Sequence, residues 1–404
     1  MNRIKHGLAG GKTMLASRMN NLNPYVPGEQ PEDREYIKIN ANENPFPPSP
    51  KVKEALKNFL DKDFKKLGLY PDPDSRKLHE AIADMLNCTG GVLSRCQIEG
   101  DALDGTGSAK VKPASEDKIP FTVTPDMIYT GNGSDEVLSF VFYAFFDSDK
   151  KLICPEHSYS FYPVYCGFYD IPRLPVELNE DWTLKTEKMT SLARENDSPI
   201  IFANPNAPTS ICLSREQVKK MLDDAPKNRI FVVDEAYVDF GGESVIPLLK
   251  DYKNLVVVRT FSKSICGAGL RSGYIVADPQ LVNAVTTVKN SLNHFPMDAM
   301  TQVACTAACG DIAYYAERAK EICEVRDDFI SYLRNKGYTV CDSKTNFVFV
   351  KKDGLNGKKA YEFIKQNGIL VRRFDTPGIE EYLRITIGTK EQMNELKKVM
   401  DKLD

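Results

Sequence analysis

What this sequence lacks narrows its chemistry before any motif is read. No apolar run approaches the roughly 20 residues that a membrane-spanning helix needs, so no membrane partner is expected. The formal net charge is only −3, so no global basic field directs the chain to nucleic acid. The ten cysteines include no C-x-x-C pair. Most, such as Cys154, Cys166 and Cys341, lie inside apolar stretches as small core residues. Cys305 and Cys309 alone are spaced for one helix face, with no histidine or second pair nearby, so no metal site is expected. This cysteine usage fits a reducing, cytoplasmic compartment. The N-terminal stretch has a few basic residues but no sustained apolar segment, so no secretory signal is expected. Its low arginine content argues against a transit peptide. Gly11-Lys12-Thr13 ends like a phosphate-binding loop, but His6 stands where the leading glycine belongs and no strand precedes it.

What is present is an ordinary globular composition, 42% hydrophobic and 27% charged, over 404 residues, enough for about two or three domains. Residues 1–35 read as an arm, with an extended or turn-like stretch at 23–28, followed by a short strand at 37–40. Ser49 and Pro50 predict a capped helix to about residue 60, and Ser75 caps a second helix to residue 86. Residues 88–120 lose all periodicity and read as an inserted, mobile surface loop.

From residue 126 strands and helices alternate. Strands are expected at 127–129, 151–154, 199–203, 230–234 and 255–259, with helices mostly between them. That pattern predicts a largely parallel sheet covered on both faces, an α/β fold whose ligands gather at the carboxyl ends of the strands. A long helical pattern covers 298–335, and residues 339–404 read as a smaller α+β domain. The expected division is an arm and first part of the small domain at 1–48, a large domain at 49–297, and a linker helix with the small domain at 298–404.

The candidate site residues lie at those strand ends. Gly131 to Glu136 form a glycine turn feeding a helix N-terminus, a ready anion site, although the third glycine of the dinucleotide fingerprint is missing. Asp234 ends an apolar strand, either as an ion-paired structural group or as the partner of a cationic ligand nitrogen. The stretch NLVVVRTFSKSICGAGLRSGY, residues 254–274, runs a buried strand into Ser262, Lys263 and Ser264, with Arg271 beyond. An isolated Ser-Lys pair would read as a solvated loop. With a phosphate-binding turn and a carboxylate, it suits a lysine that forms a Schiff base with a carbonyl beside a bound phosphate. Together the three features match the needs of pyridoxal phosphate, whose ring nitrogen must be held protonated to act as an electron sink.

The ordered motifs NANENPFPPSP, LYPDPDSRKLHEAI, TGNGSDE, PEHSYSFY, NPNAPTS, VVDEAYVDF, TFSKSICGAGLRSGY and YLRITIGT make the chain resemble the fold-type I pyridoxal-phosphate aminotransferases of the aspartate-aminotransferase superfamily, and among them the histidinol-phosphate aminotransferase family. The resemblance runs from residue 21 to 404 except for the insertion. It implies a mostly parallel seven-stranded sheet between helices and a homodimer. It implies that Lys263 carries the cofactor and moves the substrate proton, that Asp234 pairs with the ring nitrogen and that Tyr237 contacts the phenolic oxygen. Gly133, Ser134, Ser262 and Arg271 would bind the phosphate, and Asp135 also belongs to the cofactor-binding residues. Tyr159 would stack on the ring, or else belong to an aromatic core with Phe161 and Tyr162. The family's second adjacent asparagine is replaced by Ala207 and its last motif glycine by Ser210. Asn204 or Asn206 must therefore serve the phenolic oxygen, unless that contact is lost, and the turn should be altered.

The substrates implied are histidinol phosphate and glutamate or 2-oxoglutarate. Arg384 would grip the carboxylate and Arg372 the substrate phosphate, since a guanidinium fork fits either oxyanion. Asn42 would line the mouth. Tyr25 and Tyr70 would reach anionic groups across a dimer interface, or simply pack at turns. A threonine-phosphate decarboxylase, an aromatic-amino-acid aminotransferase and a non-catalytic binding protein on the same scaffold are the competing readings.

Overall fold

The computed structural model describes residues 16, 18–19, 22, 24–25, 28–103 and 109–403. The Gly11-Lys12-Thr13 stretch, most of the expected arm and the tip of the insertion lie outside the described residues. In chain order the elements begin with strand β1 (Ile37–Lys38), helices α1 (Pro50–Asp63) and α2 (Arg76–Thr89), and strands β2 (Gln97–Glu99) and β3 (Lys110–Lys112). Then come β4 (Ile128–Asn132), α3 (Gly133–Phe145), β5 (Leu152–Pro155), α4 (Tyr162–Phe168), β6 (Arg173–Val176), α5 (Thr186–Asn196), β7 (Ile200–Ala203) and α6 (Arg215–Asp224). Strands β8 (Phe231–Asp234), β9 (Leu255–Thr260) and β10 (Ser272–Ala277) lead to helices α7 (Pro279–Leu292), α8 (Ala299–Cys309) and α9 (Ile312–Asn335). The chain ends with β11 (Thr339–Val340), β12 (Phe347–Lys351), α10 (Gly357–Gln366), β13 (Ile369–Leu370), β14 (Arg372–Arg373), β15 (Leu383–Thr386) and α11 (Lys390–Met400).

Seven strands form the main sheet in the order β4-β10-β9-β8-β7-β5-β6. From β9 through β6 every pairing is parallel, while β10 runs antiparallel to both β9 and β4. The sequence reading missed β6 and β10. Strands β5, β7, β8 and β9 are buried along their whole length, which is why they read as continuous apolar runs. Alternate residues feed opposite faces. Phe231, Val233, Leu255 and Val257 join one core, whereas Val232, Val256 and Val258 join the other, with α3 and α4. Each such side chain contributes about 1.5–3 kcal/mol when fully buried, so register is fixed strongly at the strand ends.

A second, antiparallel sheet has the order β11-β12-β15-β14, and β1 pairs in parallel with β13 beside it. The expected helix at 298–335 is two helices, because the chain breaks between Cys309 and Ile312.

Both expected serine caps differ from the structure. Ser49 and Ser75 occupy N-cap positions, but neither side chain bonds its helix. At α2 the Asp72 carboxylate takes the Asp74 and Arg76 N–H groups instead (3.1 and 3.2 Å). The insertion is also more ordered than expected. Val92, Leu93 and Cys96 are buried, and β2 pairs with β3 as a hairpin. Its base is pinned by Asp117, 1% exposed, which accepts from Arg95 Nε (2.5 Å) and Arg215 Nη2 (2.8 Å). Asp117→Ala should leave both guanidinium groups without that anchor and cost about 2 kcal/mol. Faster limited proteolysis within residues 96–118, with activity retained, is the expected readout.

Candidate active site

The carboxyl ends of β8 and β9 open on a cavity of about 380 Å³ lined by Ser134, Asp135, Tyr159, Asp234, Tyr237, Ser262, Lys263 and Arg271. Every one of these was named from the sequence. An adjoining cavity of about 190 Å³ shares Tyr159, Tyr237 and Lys263 and adds Tyr25, Asn42, Arg372 and Arg384. The two form a cleft between the main and second sheets.

Close packing builds the anion end. Gly133 opens α3 with φ +78°, and a Cβ there would meet Arg271 Nη2 at 2.6 Å. A Cβ on Gly273 would lie 2.4 Å from the Ser134 nitrogen. These two glycines let β10 and Arg271 press against the first turn of α3, whose N–H groups and dipole favour an anion. Asp135 accepts hydrogen bonds from Tyr159 Oη (2.6 Å) and Arg271 Nη2 (3.1 Å).

Asp234 is 4% exposed and shares the strand face of Val232. Tyr162 Oη donates to its Oδ2 and the Ala236 N–H to its Oδ1, both at 3.1 Å. Burial, aided by the nearby Asp135 and Glu235 carboxylates, raises its pKa to about 6 against these two donors. The next residue, Glu235, belongs to a different network. Arg259, 4% exposed, donates to Glu235 Oε2 (2.9 Å) and to both Asp239 oxygens (3.2 Å). Asp239 also accepts from Ser264 Oγ (2.6 Å), the residue after Lys263. Asn44 Nδ2 donates to the Lys263 carbonyl at 2.8 Å. The backbone that carries the lysine is thus held from both sides, and Lys263 Nζ lies 5.8 Å from the Tyr237 ring centre.

The second sheet supplies the mouth. Asn42, in the left-handed region at φ +54°, donates from Nδ2 to Tyr237 Oη (2.9 Å) and is clasped by Thr386 Oγ1 (3.0 Å). Arg372 and Arg384 are direct cross-strand partners on β14 and β15. Arg384 Nη2 donates to the Asn40 carbonyl (3.1 Å), while its Nε is buried with no hydrogen-bond partner among the described residues. Desolvation pulls its pKa below the ordinary arginine value, and Arg372 acts in the same direction. Like charges placed opposite each other are destabilising, so the pair marks a site for an anion. Tyr25 rests on Phe161 with ring centres 4.9 Å apart, inside the cleft of its own chain.

The two asparagines offered for the phenolic oxygen lie elsewhere. Asn204 and Asn206 do not line the cavity, because their amides close their own loop. Asn204 exchanges hydrogen bonds with the Leu213 backbone (2.7 and 3.0 Å). Asn206 binds the His157 carbonyl (2.9 Å), Thr209 Oγ1 (3.0 Å) and Ser158 Oγ (2.8 Å). Ala207 lines the cavity in their stead. The turn nevertheless closes through Ser210 N–H to the Asn206 carbonyl (2.8 Å), with Ser210 at φ +68°. Tyr70 is 82% exposed and stacks on Phe295 (4.5 Å) along a separate apolar groove. Conversely, sequence reasoning missed Tyr162 as a partner of Asp234, Asn44, Thr386 and the Arg259 network. Their residue types carry no local signal of contacts made across the fold.

Lys263 and the buried Asp234 line one cavity, with a glycine-opened helix terminus at one end and paired arginines at the other, an arrangement of the transaminase type. The family model for aminotransferase class I and II matches residues 34–400. A histidinol-phosphate aminotransferase of Syntrophus aciditrophicus (strain SB) is 43% identical over 98% of this chain and 99% of its own length. One from Acinetobacter baylyi is 40% identical over 93% of each. The crystal structure of the Sinorhizobium meliloti histidinol-phosphate aminotransferase in complex with pyridoxal-5'-phosphate matches the fold with a TM-score of 0.79 and 21% identity, covering 98% of this chain and all of that one. The chain belongs to the class I and II aminotransferases and, among them, to the histidinol-phosphate aminotransferase family.

The folded Asp234 carboxyl, at about 6 against an ordinary 3.8, binds its proton more tightly than the unfolded chain does. This group therefore adds stability to the cofactor-free protein as pH falls from about 6 towards 4, and the contribution disappears as pH rises. The unfolding free energy of wild type relative to Asp234→Asn should rise by on the order of 3 kcal/mol between pH 7 and 4, measured by urea titration.

Proposed function

We propose that this chain interconverts L-histidinol phosphate and 2-oxoglutarate with imidazole acetol phosphate and L-glutamate, with pyridoxal phosphate, in histidine biosynthesis. The observation that carries the substrate assignment is the cross-strand pair Arg372 and Arg384, at the end of the cleft away from the Gly133–Arg271 cradle. One phosphate belongs to the cofactor and a second anion to the substrate, so two separate cationic sites are needed.

The residues fit the cofactor. Gly133, Ser134, Ser262 and Arg271 would hold its phosphate, Lys263 its aldehyde carbon, Tyr237 its phenolic oxygen, Asp234 its ring nitrogen and Tyr159 its face. When bound, pyridoxal phosphate supplies an aldehyde that captures the substrate amine and a protonated ring that takes up the electron pair released at Cα. Asp234 keeps the ring-nitrogen proton in place through the charge of its carboxylate. Lys263 Nζ, once displaced by the substrate amine, would take the proton from the substrate Cα and return it at C4′, the former aldehyde carbon. Tyr237, oriented by Asn42, donates to the phenolic oxygen, a task that Asn204 and Asn206 are not placed to share. Arg384 grips the glutamate carboxylate or an oxygen of the substrate phosphate, and Arg372 adds the second positive charge that a phosphate dianion rewards.

We assign the arm and β1 to the small domain with residues 298–404, because β1 pairs with β13, and residues 49–297 to the large one. A homodimer is favoured by the exposed apolar surface of Phe64, Leu69 and Tyr70, which would carry Tyr70 towards a partner. All ten cysteines are free, which favours a cytoplasmic setting. Among the described residues, no helix is long and apolar enough to cross a membrane.

Turnover with 2-oxoglutarate should be fastest for histidinol phosphate in a panel that includes phenylalanine and threonine phosphate. Carbon dioxide from threonine phosphate, or phenylalanine as the best donor, would overturn the assignment. Lys263→Ala should lose transamination and all borohydride-trapped cofactor, as read by peptide mapping. Arg372→Ala should raise KM for histidinol phosphate at least tenfold more than for glutamate, whereas Arg384→Lys should raise both about tenfold or more. Equal losses in Arg372→Ala would show that it does not hold the phosphate.

A further inference from the structure

Tyr162 opens α4 and is 1% exposed. Phenylalanine would fill its volume, so its hydroxyl serves something other than packing. That hydroxyl donates to Asp234 Oδ2 at 3.1 Å, while Oδ1 faces the Ala236 N–H. The Tyr162 ring also stands edge-on to Tyr159, with centres 5.6 Å apart and planes at 85°. Tyr159 is held at its other end by Asp135, which in turn binds Arg271. One buried side chain thus sets both the carboxylate and the aromatic plane that border the cofactor cavity.

We propose that Tyr162 is a positioning residue for transamination: its O–H fixes the orientation of Asp234 and holds that carboxylate ionised to meet the proton on the cofactor ring nitrogen. This rests on the assignment of Asp234 to that nitrogen. The surroundings explain why a dedicated donor is needed. Asp135 on α3 and Glu235 beyond β8 disfavour a further negative charge, and the phenols of Tyr159 and Tyr165 also face this carboxylate. Lys263 and Arg271 are the cations of the same cavity. Burial pushes Asp234 up to about 6, whereas the hydrogen bond from Tyr162 acts against it. The Tyr162 phenol is itself raised well above its ordinary range by burial and by Asp234, so it remains a donor throughout. A fixed donor favours the charged form of its acceptor. A neutral Asp234 could not sustain the charge on a protonated ring.

The test uses cofactor-free and cofactor-loaded protein. In cofactor-free protein carrying carbon-13 aspartate, Asp234→Asn identifies the Asp234 signal. Its titration midpoint should rise by about one pH unit in Tyr162→Phe. A fluorinated tyrosine at position 162, a stronger acid of nearly the same shape, should move the midpoint down. In the loaded enzyme, Tyr162→Phe should lower kcat about tenfold with KM for both substrates within twofold. An unmoved midpoint in folded Tyr162→Phe overturns the proposal. If that variant does not fold, an unmoved midpoint with the fluorinated residue does so. Full activity in Asp234→Asn would instead remove the ring-nitrogen assignment, a result distinguishable from the midpoint, which is read without cofactor.

Discussion

The structure depends on one dry ionic knot, the Arg259 guanidinium shared between Glu235 and Asp239. Two carboxylates and a guanidinium lie where water cannot solvate them, and their burial is offset by one another and by donors and acceptors around them, among them Ser244, Ser264 and the Gly91 carbonyl. Loss of the central cation would strand two negative charges, a change that typically costs about 3–5 kcal/mol. The knot also does geometric work. Glu235 and Asp239 belong to the loop after β8, Arg259 belongs to β9, and Ser264 ties the lysine loop to the same carboxylate. The loops that carry Asp234 and Lys263 are therefore tied together beneath the cavity by buried groups.

The alternation of a β-strand explains how adjacent acids come to differ so much. Asp234 follows the parity of Val232 and turns to the face of α3 and α4, where Tyr162 waits. Glu235 follows Val233 to the opposite face and meets Arg259. Two neighbouring carboxylates thus go separate ways by a single step in register, Asp234 to the cavity and Glu235 to the Arg259 network. The antiparallel strand β10 completes the arrangement, because Gly273 and Arg271 can approach α3 only from a strand lying between β4 and β9.

The parts legible in the sequence were those whose signal is local. Buried parallel strands show as continuous apolar runs, and ligand groups collect at their carboxyl ends, so Asp234, Lys263 and the turn at Gly133 could be placed together. Strand β10 was missed because Ser272-Gly273 reads as part of a turn. The cap at Ser75 was misread because the Asp72 carboxylate returns from the preceding turn to take the N–H groups there. Asn204 and Asn206 have the right chemistry for the cofactor, but both atoms of each amide are engaged in closing their own loop. The contact of Tyr162 was hidden because its partner lies 72 residues away, a separation that no periodicity encodes.

The register between β14 and β15 has a further consequence. Setting Arg372 against Arg384 places two like charges side by side in the resting protein, and an anion bound there would offset them. Whatever binds only the folded chain also protects it from unfolding. Metabolic supply would then govern more than turnover: molecules kept busy should outlast idle ones wherever degradation begins with local opening.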